Sequence, residues 1–423
     1  MPKRCREPGA CRDDAEPAIA PSDGAGRPSG LARVGGRVTG LLPGGIELAD
    51  AFGTIEVCFA GTGPGAALGL GDLALVRGIL DDGRLAEATL LEHSRPVRPP
   101  AAAPGDAPRR RRADALRLRA AVVAGIRQFF AERGFLEVDT PVMVPSPGLD
   151  LHLDAFAIAG GDVRQPAYLI TSPEYQMKRL LCGDLPRIFQ LAHCFRRDEQ
   201  GDLHSPEFLM LEWYRAFSTV EEVMDETEEL VRGILAKHAL GLPLQVGSSR
   251  VDPRLPFERL CVGDAFARWA GMPAPEALAL AERDEDRFFR LLVERVEPGL
   301  ARVGRPVLLC DFPASQASLA RLRPGDPRVC ERFELYAGGV ELCNGFGELT
   351  DPVEQRRRFE RDRQRRAALG KPVYPVDEGF LAALEEGMPA AAGNALGVDR
   401  LVALCAGAGA IADVQAFPAP RRA

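Results

Sequence analysis

The sequence predicts an α+β protein in which a small all-β domain precedes a larger mixed domain. Two patterns support this division. Residues 31–95 contain short runs of β-branched and apolar residues separated by glycine turns, whereas residues 113–133 repeat apolar residues at helical spacing. Further strand and helix patterns follow toward the carboxyl terminus.

The all-β domain is defined by five short β-type runs with glycine turns between them. Such a pattern favours a small barrel of the OB type. The runs are residues 33–38, 45–48, 54–59, 73–80 and 85–91. The sequence therefore predicts an OB-like barrel over residues 31–95.

The other domain boundaries follow from composition. Residues 1–30 are rich in Pro, Gly, Asp, Arg and Ala, with almost no bulky apolar residue, so we expect them to be disordered. Residues 96–112 form a Pro/Ala linker that ends in four arginines at 109–112. Two interpretations stay open for that run: a solvated linker end, or a contact with RNA or an acidic protein. Residues 113–423 form the larger domain.

Length and hydropathy place the chain among globular proteins. Its 423 residues suffice for two or three domains with a sizeable core. Hydrophobic residues make up 46% and charged residues 27%, which is ordinary for this class. There is no run of about eighteen apolar residues, and the amino terminus lacks the apolar stretch of a secretory signal. We therefore expect no membrane span and no secretion.

Charge and cysteine content exclude further classes. The formal net charge of −7 disfavours a protein that mainly binds nucleic acid, although it still allows local basic patches. The ten cysteines are scattered without a C-x-x-C pair, and the chain has only five histidines. We therefore expect neither a zinc site nor a disulfide framework, and interpret the thiols as reduced and cytoplasmic.

The most informative stretch is residues 195–215, which closes with an alternating segment. One side of it carries Phe208, Met210, Glu212 and Tyr214, and the other carries Leu209, Leu211 and Trp213. Period-two alternation predicts a strand. A carboxylate on a half-buried strand face is costly unless it meets a cation. The sequence therefore predicts that this face lines a pocket for a positively charged ligand.

This stretch resembles motif 2 of the class II aminoacyl-tRNA synthetases, in its lysine-specific form. Motif 1 of that class is a long helix leading into a strand that ends in proline. Residues 113–141 resemble it, with Gly134 ending the helix. Motif 3 is a glycine-arginine turn into a helix, and residues 393–404 are similar to it. The three motifs in this order imply the class II catalytic fold, an antiparallel sheet flanked by helices.

The resemblance implies that the motif 2 and motif 3 arginines, Arg196 and Arg400, bind ATP and act in catalysis. A guanidinium is permanently charged and binds oxyanions through two parallel donors. A fixed cation also stabilises the charge that develops at the α-phosphate. The alternative for Arg196 is an ordinary arginine turn beside a core strand.

Two acidic segments add candidates for the site. Glu174 stands where a proline begins a helix, and its alternative is a solvent-exposed glutamate stabilised by the helix dipole. Glu334 and Glu341 are candidates to hold Mg²⁺, because hard cations take carboxylate oxygens. The alternative for that pair is two surface glutamates on a hairpin.

A third segment suits a long aliphatic ammonium. Asn344, Phe346 and Glu348 alternate, so they share one strand face. The stem of such a ligand packs against an aromatic ring while its charge meets the carboxylate.

Taken together, residues 113–420 more closely resemble the elongation factor P–(R)-β-lysine ligases. The resemblance is carried by residues 171–175, 210–215 and 311–320, and by Ala395, where lysyl-tRNA synthetases usually have glycine. One extra methyl in the pocket floor would favour a β-amino acid, although such a difference gives only ~10- to 200-fold discrimination.

This resemblance implies a role for each site residue. The ATP subsite comprises Arg196, Asp198, His204, Phe208, Glu334, Glu341 and Arg400, with Phe208 stacked on adenine and Mg²⁺ held by Glu334 and Glu341. Glu174 holds the reacting amino group. The remaining substrate-binding residues are Glu212, Tyr214, Asn344, Phe346, Glu348, Ala395 and Gly397. Two stretches depart from the family pattern: residues 197–199 read Arg-Asp-Glu instead of Asn-Glu-Glu, and 204–206 read His-Ser-Pro instead of His-Asn-Pro.

The implied reaction has two steps. Lysine or (R)-β-lysine is activated with ATP and Mg²⁺ as an adenylate, and the acyl group then passes to a lysine of elongation factor P. The alternatives are a lysyl-tRNA synthetase that charges tRNA and a non-catalytic synthetase-like protein. A homodimer is also implied, because the motif 1 elements of this class pack across a two-fold interface.

The barrel is the largest departure from the ligase family, because the familiar ligases lack it. Lysyl-tRNA synthetases bind the anticodon with such a barrel. Between residues 31 and 95, five arginines stand against eight acidic residues, and only Phe52 and Phe59 offer stacking rings. Readers of single-stranded RNA need a basic groove and exposed aromatics. We therefore interpret the barrel as a remnant or a protein-docking module. Candidates for a basic rim that meets the acceptor are Lys178, Arg179, Arg197 and residues 109–112.

Overall fold

The computed structural model describes residues 17–61, 67–97, 107–159 and 166–420. The chain divides into two compact units, with the division between Ala115 and Leu116. Across these described ranges, no helix is both long and apolar enough to cross a membrane.

The first unit is a closed barrel, as predicted. Its strands are β1 (Gly30–Leu42), β2 (Gly45–Ala49), β3 (Thr54–Phe59), β4 (Leu73–Asp81) and β5 (Arg84–Ser94). These strands close in the order β1-β2-β3-β5-β4, and β1 pairs with β4 as well as with β2. Alternate residues point inward, so that apolar side chains such as Val34, Ile46 and Val76 fill the interior.

Residues 17–29 are ordered against the barrel, and the prediction of disorder is wrong for them. Ile19 forms a parallel bridge with Val34, and its N–H donates to the carbonyl of Arg33 at 2.9 Å. The Ser22 hydroxyl donates to Asp50 at 2.5 Å. A single bulky residue, Ile19, packs against the barrel core and anchors this otherwise polar segment. Disorder is also predicted for residues 1–16, which lie outside the described residues.

The predicted linker is also shorter than expected, because helix α1 (Ala107–Glu132) takes in residues 107–112. Arginine and alanine are strong helix formers, so the arginine run extends the helix although it lacks apolar periodicity. The linker residues 98–106 lie outside the described residues.

The second unit is built on a mainly antiparallel sheet. The described strands of the second unit, in and outside this sheet, are β6 (Leu136–Glu137), β7 (Met143–Val144), β8 (Ala157–Ile158), β9 (Ala167–Leu169), β10 (Arg187–Phe195), β11 (Glu207–Ala216), β12 (Leu244–Val246), β13 (Ser249–Val251), β14 (Glu258–Cys261), β15 (Val307–Pro313), β16 (Leu322–Arg323), β17 (Asp326–Ala337), β18 (Val340–Gly347) and β19 (Ala391–Gly397). In the described chain the main sheet runs β14-β15-β17-β18-β19-β11-β10-β6, and β16 pairs with β17. Only the β14–β15 and β10–β6 pairs along this order are parallel.

Helices flank this sheet, which confirms the predicted α+β class. After α1 they are α2 (Glu174–Cys182), α3 (Val220–His238), α4 (Val262–Trp269), α5 (Ala274–Arg283), α6 (Glu285–Leu291), α7 (Glu297–Ala301), α8 (Pro352–Ala368), α9 (Glu378–Glu386) and α10 (Val398–Ala406). Helix α3 packs on β18 and β19, and α10 packs on β11. Helix α1 ends at Glu132, two residues before Gly134, whose φ of +71° lets the chain reverse after the helix as predicted.

Strand β11 separates the core from the site. Trp213 is fully buried, and its ring centroid lies 5.4 Å from that of Phe130 on α1. The residues that alternate with it, Phe208, Met210, Glu212 and Tyr214, all line one cavity. The predicted alternation is therefore confirmed, with the apolar face packed in the core and the mixed face lining the cavity.

Candidate active site

A cavity of about 620 Å³ lies over the main sheet of the second unit. Among the residues that line it are thirteen of the fifteen site residues predicted from sequence: Glu174, Arg196, His204, Phe208, Glu212, Tyr214, Glu341, Asn344, Phe346, Glu348, Ala395, Gly397 and Arg400. Asp198 and Glu334 are the exceptions. Segments that are far apart in sequence therefore meet in one place.

The sheet register orders these side chains. Glu212, Ala395 and Asn344 are direct neighbours across β11, β19 and β18, so they form one row of the cavity floor. Along β11 the rise is about 3.3 Å per residue, which separates Phe208 from Glu212 by about 13 Å. Phe208 therefore marks one region of the cavity and Glu212 another.

The region around Phe208 is cationic. The guanidinium carbon of Arg196 lies 5.0 Å from the centroid of the Phe208 ring, and its Nε donates to the carbonyl of Thr171 at 3.4 Å. Its Nη1 lies 3.8 Å from Glu199, a cavity residue that the sequence prediction missed. The Arg196 side chain is 22% exposed, so its charge stays open to an anionic ligand.

Arg400 is fixed in the same cavity by three contacts. Its Nε donates to the carbonyl of Leu203 at 3.1 Å, and its Nη1 donates to the carbonyl of Glu341 at 2.8 Å. Its Nη2 lies 2.9 Å from Nε2 of His204. Burial and the Arg400 charge lower the pKa of His204, so its ring is held neutral and accepts from Arg400. These contacts aim a rigid cation into the cavity.

Glu334 is not among the residues that line the cavity. It is opposite Asn344 in the register, but Arg332 donates to one of its carboxylate oxygens and the Tyr336 hydroxyl to the other, each at 2.7 Å. Residues two apart share a strand face, so both neighbours cover the carboxylate. The charge of Glu341 also acts on Glu334, and the role of this pair in holding Mg²⁺ stays a prediction. Arg332 lines the cavity in its place.

Asp198 is also not among the residues that line the cavity. Its φ of +66° is left-handed, in the connection between β10 and β11. The carboxylate is 54% exposed and lies 3.2 Å from Nε of Arg197. The next residue, Glu199, reaches the cavity instead. This position is one where the chain departs from the family pattern.

The opposite region of the cavity is acidic and contains an internal lysine. The Lys178 ammonium lies 2.5 Å from a carboxylate oxygen of Glu174 and 2.5 Å from one of Glu348. Burial disfavours this charge, but the two carboxylates outweigh it and raise the pKa of Lys178. The second oxygen of Glu348 is buried without a hydrogen-bond partner. One cation is thus shared between two carboxylates.

A third carboxylate in this region has no cation of its own. Glu212 accepts from the Ser172 hydroxyl at 2.7 Å and from the Tyr214 hydroxyl at 2.9 Å. Burial, and then the charge of Glu174, raise the pKa of Glu212 to about 8. Burial likewise raises the pKa of Glu348 to about 7, although Lys178 opposes it. The described residues here therefore present more carboxylates than ammonium groups.

The burial of Lys178 corrects the expectation of an exposed basic rim. The side chain is only 1% exposed and cannot meet an acceptor at the surface. One signal was visible in the sequence: Tyr175, Lys178 and Leu181 are spaced three apart, and all three lie on the buried face of α2. Arg179, the next residue, is exposed.

The cavity floor requires glycine at position 393. This residue pairs with Tyr214 on one side and Phe346 on the other. A Cβ atom there would lie 2.3 Å from the Tyr214 ring and 2.9 Å from the Glu348 carboxylate. The sequence prediction treated Gly393 only as part of a turn, but it makes space for two substrate-facing side chains.

The fold and the cavity define a class II synthetase type of catalytic domain. The chain matches the family of class II tRNA synthetases (D, K and N) over residues 106–421, and therefore belongs to it. Membership of this family makes the chain an ATP-dependent ligase. The match begins after the barrel, which lies outside it.

The chain is also similar to individual curated proteins. The chain is 45% identical over 312 residues to the elongation factor P–(R)-β-lysine ligase of Proteus mirabilis, covering 72% of this chain and 94% of that protein. It is 46% identical over 308 residues to the ligase of the same name from Photorhabdus laumondii, covering 71% and 93%. The similarity thus spans nearly the whole of these relatives.

The raised pKa of Glu212 predicts a pH-dependent difference in stability for Glu212→Gln. Because the folded-state pKa is about 8 and the ordinary value is 4.5, the folded protein holds this proton more tightly than the unfolded chain. The free energy of unfolding of the wild type should fall, relative to the variant, as pH rises from 4.5 to about 8. We expect a change on the order of a few kcal/mol.

This prediction is checked by denaturant unfolding of the ligand-free protein at several pH values. Glu207→Gln is the matched control, because Glu207 lies on the same strand with a side chain that is 59% exposed. Parallel pH curves for the wild type and Glu212→Gln would contradict the expected burial of an uncompensated carboxyl group.

Proposed function

We propose that this chain activates lysine or (R)-β-lysine with ATP and transfers the acyl group to a lysine side chain of elongation factor P. The observation that carries the proposal is the charge of the cavity. Glu174, Glu212 and Glu348 converge on one internal ammonium, that of Lys178. In the ligand-free protein the raised pKa of Glu212, about 8, keeps this group protonated near neutral pH, and a ligand with two ammonium groups supplies the two further positive charges that let all three carboxyl groups ionise.

The side-chain subsite suits the rest of such a ligand. Tyr214 and Phe346 bring rings to within 5.8 Å of the Lys178 ammonium, measured to each ring centroid. An aliphatic stem packs against these rings while its terminal ammonium meets Glu212 or Glu348. Glu174, at 18% exposure, is the most accessible of the three carboxylates and takes the reacting amino group in this proposal.

The cationic region supports adenylate formation. In the proposal, Arg196 binds the α-phosphate and the amino-acid carboxylate, Arg400 and His204 bind the phosphates, and Phe208 stacks on adenine. The substrate carboxylate attacks the α-phosphate, and pyrophosphate leaves. No protein nucleophile is needed, because positioning and fixed positive charge lower the barrier.

Magnesium fits this region through Glu341. The Glu341 side chain is 41% exposed in the cavity, and Mg²⁺ is usually held by one or two carboxylates together with substrate phosphates. Glu334 is a second ligand only if Arg332 and Tyr336 release it. When bound, the metal would neutralise charge on the triphosphate.

The barrel supports a protein acceptor over the anticodon of tRNA. Phe59 is 8% exposed and belongs to the barrel core, so it cannot stack on a base. Phe52 is half-buried, and acidic residues outnumber arginines in this unit. A lysyl-tRNA synthetase remains the second candidate, favoured by the family match alone.

Assembly and location are further parts of the proposal. Leu136, Val142 and Met143 follow α1 and are between 41% and 54% exposed, which favours a homodimer through the motif 1 region. The unpaired thiols of the described cysteines suit the cytoplasm.

The deciding experiment offers radiolabelled lysine and (R)-β-lysine, in parallel, to elongation factor P and to tRNA. The full chain and a chain lacking residues 1–95 are compared. We expect both to label elongation factor P at similar rates, because the barrel has its own core and lies outside the family match.

The tRNA arm tests the second candidate. Each phosphate neutralised by a protein adds about 0.7–0.9 to the slope of log K against log salt, so charging that depends on the barrel would be steeply salt-dependent. Efficient tRNA charging that falls steeply with salt and is lost on truncation would make the protein a tRNA synthetase and refute the proposed acceptor.

A further inference from the structure

Lys178 ends inside the wall of the substrate cavity, out of contact with water. Its side chain is 1% exposed, and its ammonium lies 2.5 Å from Glu174 and 2.5 Å from Glu348. The first carboxylate comes from the same helix, one turn earlier, and the second follows β18, 170 positions away in sequence. The lysine therefore joins the two parts of the chain that carry the acidic region.

The surroundings of this ammonium are strongly acidic. The titratable and charged groups that face it or its partners come from α2, β11 and the segments near β16 and β18: Glu174, Tyr175, Glu212, Tyr214, Arg321 and Glu348. Arg321 is engaged by Glu331, so it does not replace Lys178 as a partner. Without Lys178, Glu174 and Glu348 would face each other and Glu212 with no internal ammonium between them.

Resting on the proposed function, we propose that Lys178 is a positioning residue for amino-acid specificity. It fixes the number of positive charges that the amino-acid substrate must supply. It holds Glu174 and Glu348 in place, and it supplies one of the three positive charges that these two carboxyl groups and Glu212 need when all three are ionised. Two charges are left for the substrate. A diamino acid matches them, whereas a monoamino acid leaves one carboxylate buried without a cation.

The test is ATP–pyrophosphate exchange by Lys178→Met and Lys178→Arg, with lysine, (R)-β-lysine and norleucine as amino acids. Norleucine has the carbon stem of lysine without its terminal amine. In Lys178→Met we expect kcat/KM for the diamino acids to fall about 150- to 5,000-fold near neutral pH, as for a broken buried ion pair. The KM for ATP should stay within about twofold, since Lys178 touches no residue of the cationic region.

The pH profile separates this role from a merely structural one. Loss of the Lys178 charge raises the pKa of Glu348 further, so this carboxyl group ionises only at higher pH. The profile of kcat/KM for lysine in Lys178→Met should therefore shift to alkaline pH. Lys178→Arg keeps the charge and should recover the wild-type profile at least in part. Lys237→Met, at an exposed position of α3, is the control for loss of a lysine.

The double variant Lys178→Met/Glu348→Gln covers the case in which Lys178→Met does not fold. It removes both partners, so no unpaired charge remains between them. We expect its loss of kcat/KM for lysine to be smaller than the product of the losses of the single variants. If Lys178→Met cannot be measured, we expect the double variant to differ from Glu348→Gln by less than about tenfold, because the two residues act as one unit.

Each remaining outcome decides against the inference. A wild-type pH profile and a wild-type kcat/KM in Lys178→Met would show that Lys178 does not act as the counter-charge of the carboxyl groups. Equal losses for ATP and amino acid with an unshifted profile would make Lys178 purely structural. A double variant more than about tenfold worse than Glu348→Gln would show independent action. Wild-type protein that activates no diamino acid would overturn the proposed function and this inference together, whereas the other outcomes overturn the inference alone.

Discussion

Arg196→Ala should lower the rate of ATP–pyrophosphate exchange by at least about 100- to 1,000-fold while the protein keeps its fold. Removal of one preorganised donor at a developing oxyanion costs about that much in other enzymes. Arg196 is 22% exposed within the cavity and forms no buried ion pair shorter than 3.8 Å, so its loss leaves no buried carboxylate stranded. The exchange assay reports only the activation step and is independent of the acceptor.

Arg197→Ala is the matched control for this prediction. Arg197 is the next residue, but it does not line the cavity and lies near Asp154 and Asp198. We expect its exchange rate to stay within about twofold of the wild type, in line with the small contribution of exposed ion pairs. If Arg196→Ala had the exchange rate of the control, this result would show that Arg196 has no role in the activation step.

Glu348→Gln should weaken the binding of lysine and (R)-β-lysine by about 3–5 kcal/mol, the usual effect of breaking a buried ion pair. The amide keeps the shape of the carboxyl group, but it leaves the Lys178 ammonium to Glu174 alone. One fewer negative charge then remains for the substrate. ATP binding should change little, because Glu348 is seven residues from Glu341 along the chain, about 23 Å if the strand were fully extended.

Isothermal titration with each ligand separately measures this difference. Glu378→Gln is a suitable control, since its carboxylate is 66% exposed on α9. Equal weakening of lysine and ATP binding in Glu348→Gln would show that Glu348 acts on the whole cavity and not on the side-chain subsite.

The strand faces of the site could be predicted from sequence because alternation is a geometric property of the backbone. Once residues 208–214 form a strand, Glu212 and Tyr214 must share a face with Phe208. The resemblance to motifs 2 and 3 implied that Arg196 and Arg400 share one site, and both line the cavity. The barrel strands and the end of α1 could be predicted for a similar reason, because glycine residues mark both in the local sequence.

The errors in the prediction come from competition between side chains, which no motif records. Glu334 has the right strand face, but Arg332 and Tyr336 occupy both of its oxygens. Asp198 has a left-handed backbone angle and is not among the residues that line the cavity, so its role stays a prediction. Lys178 was assigned to the surface by its charge, whereas two carboxylates from distant segments hold it inside the protein. Ile19 anchored a segment whose composition predicted disorder.

The row formed by Glu212, Ala395 and Asn344 has a consequence for how this pocket can change in evolution or in the laboratory. Deleting or inserting one residue in any of the three strands would turn every side chain beyond that point to the opposite face of the sheet. The strands therefore tolerate exchange of one residue type for another but not a change of length. Libraries aimed at new amino acids should vary identities at fixed positions here and reserve changes of length for the connecting loops.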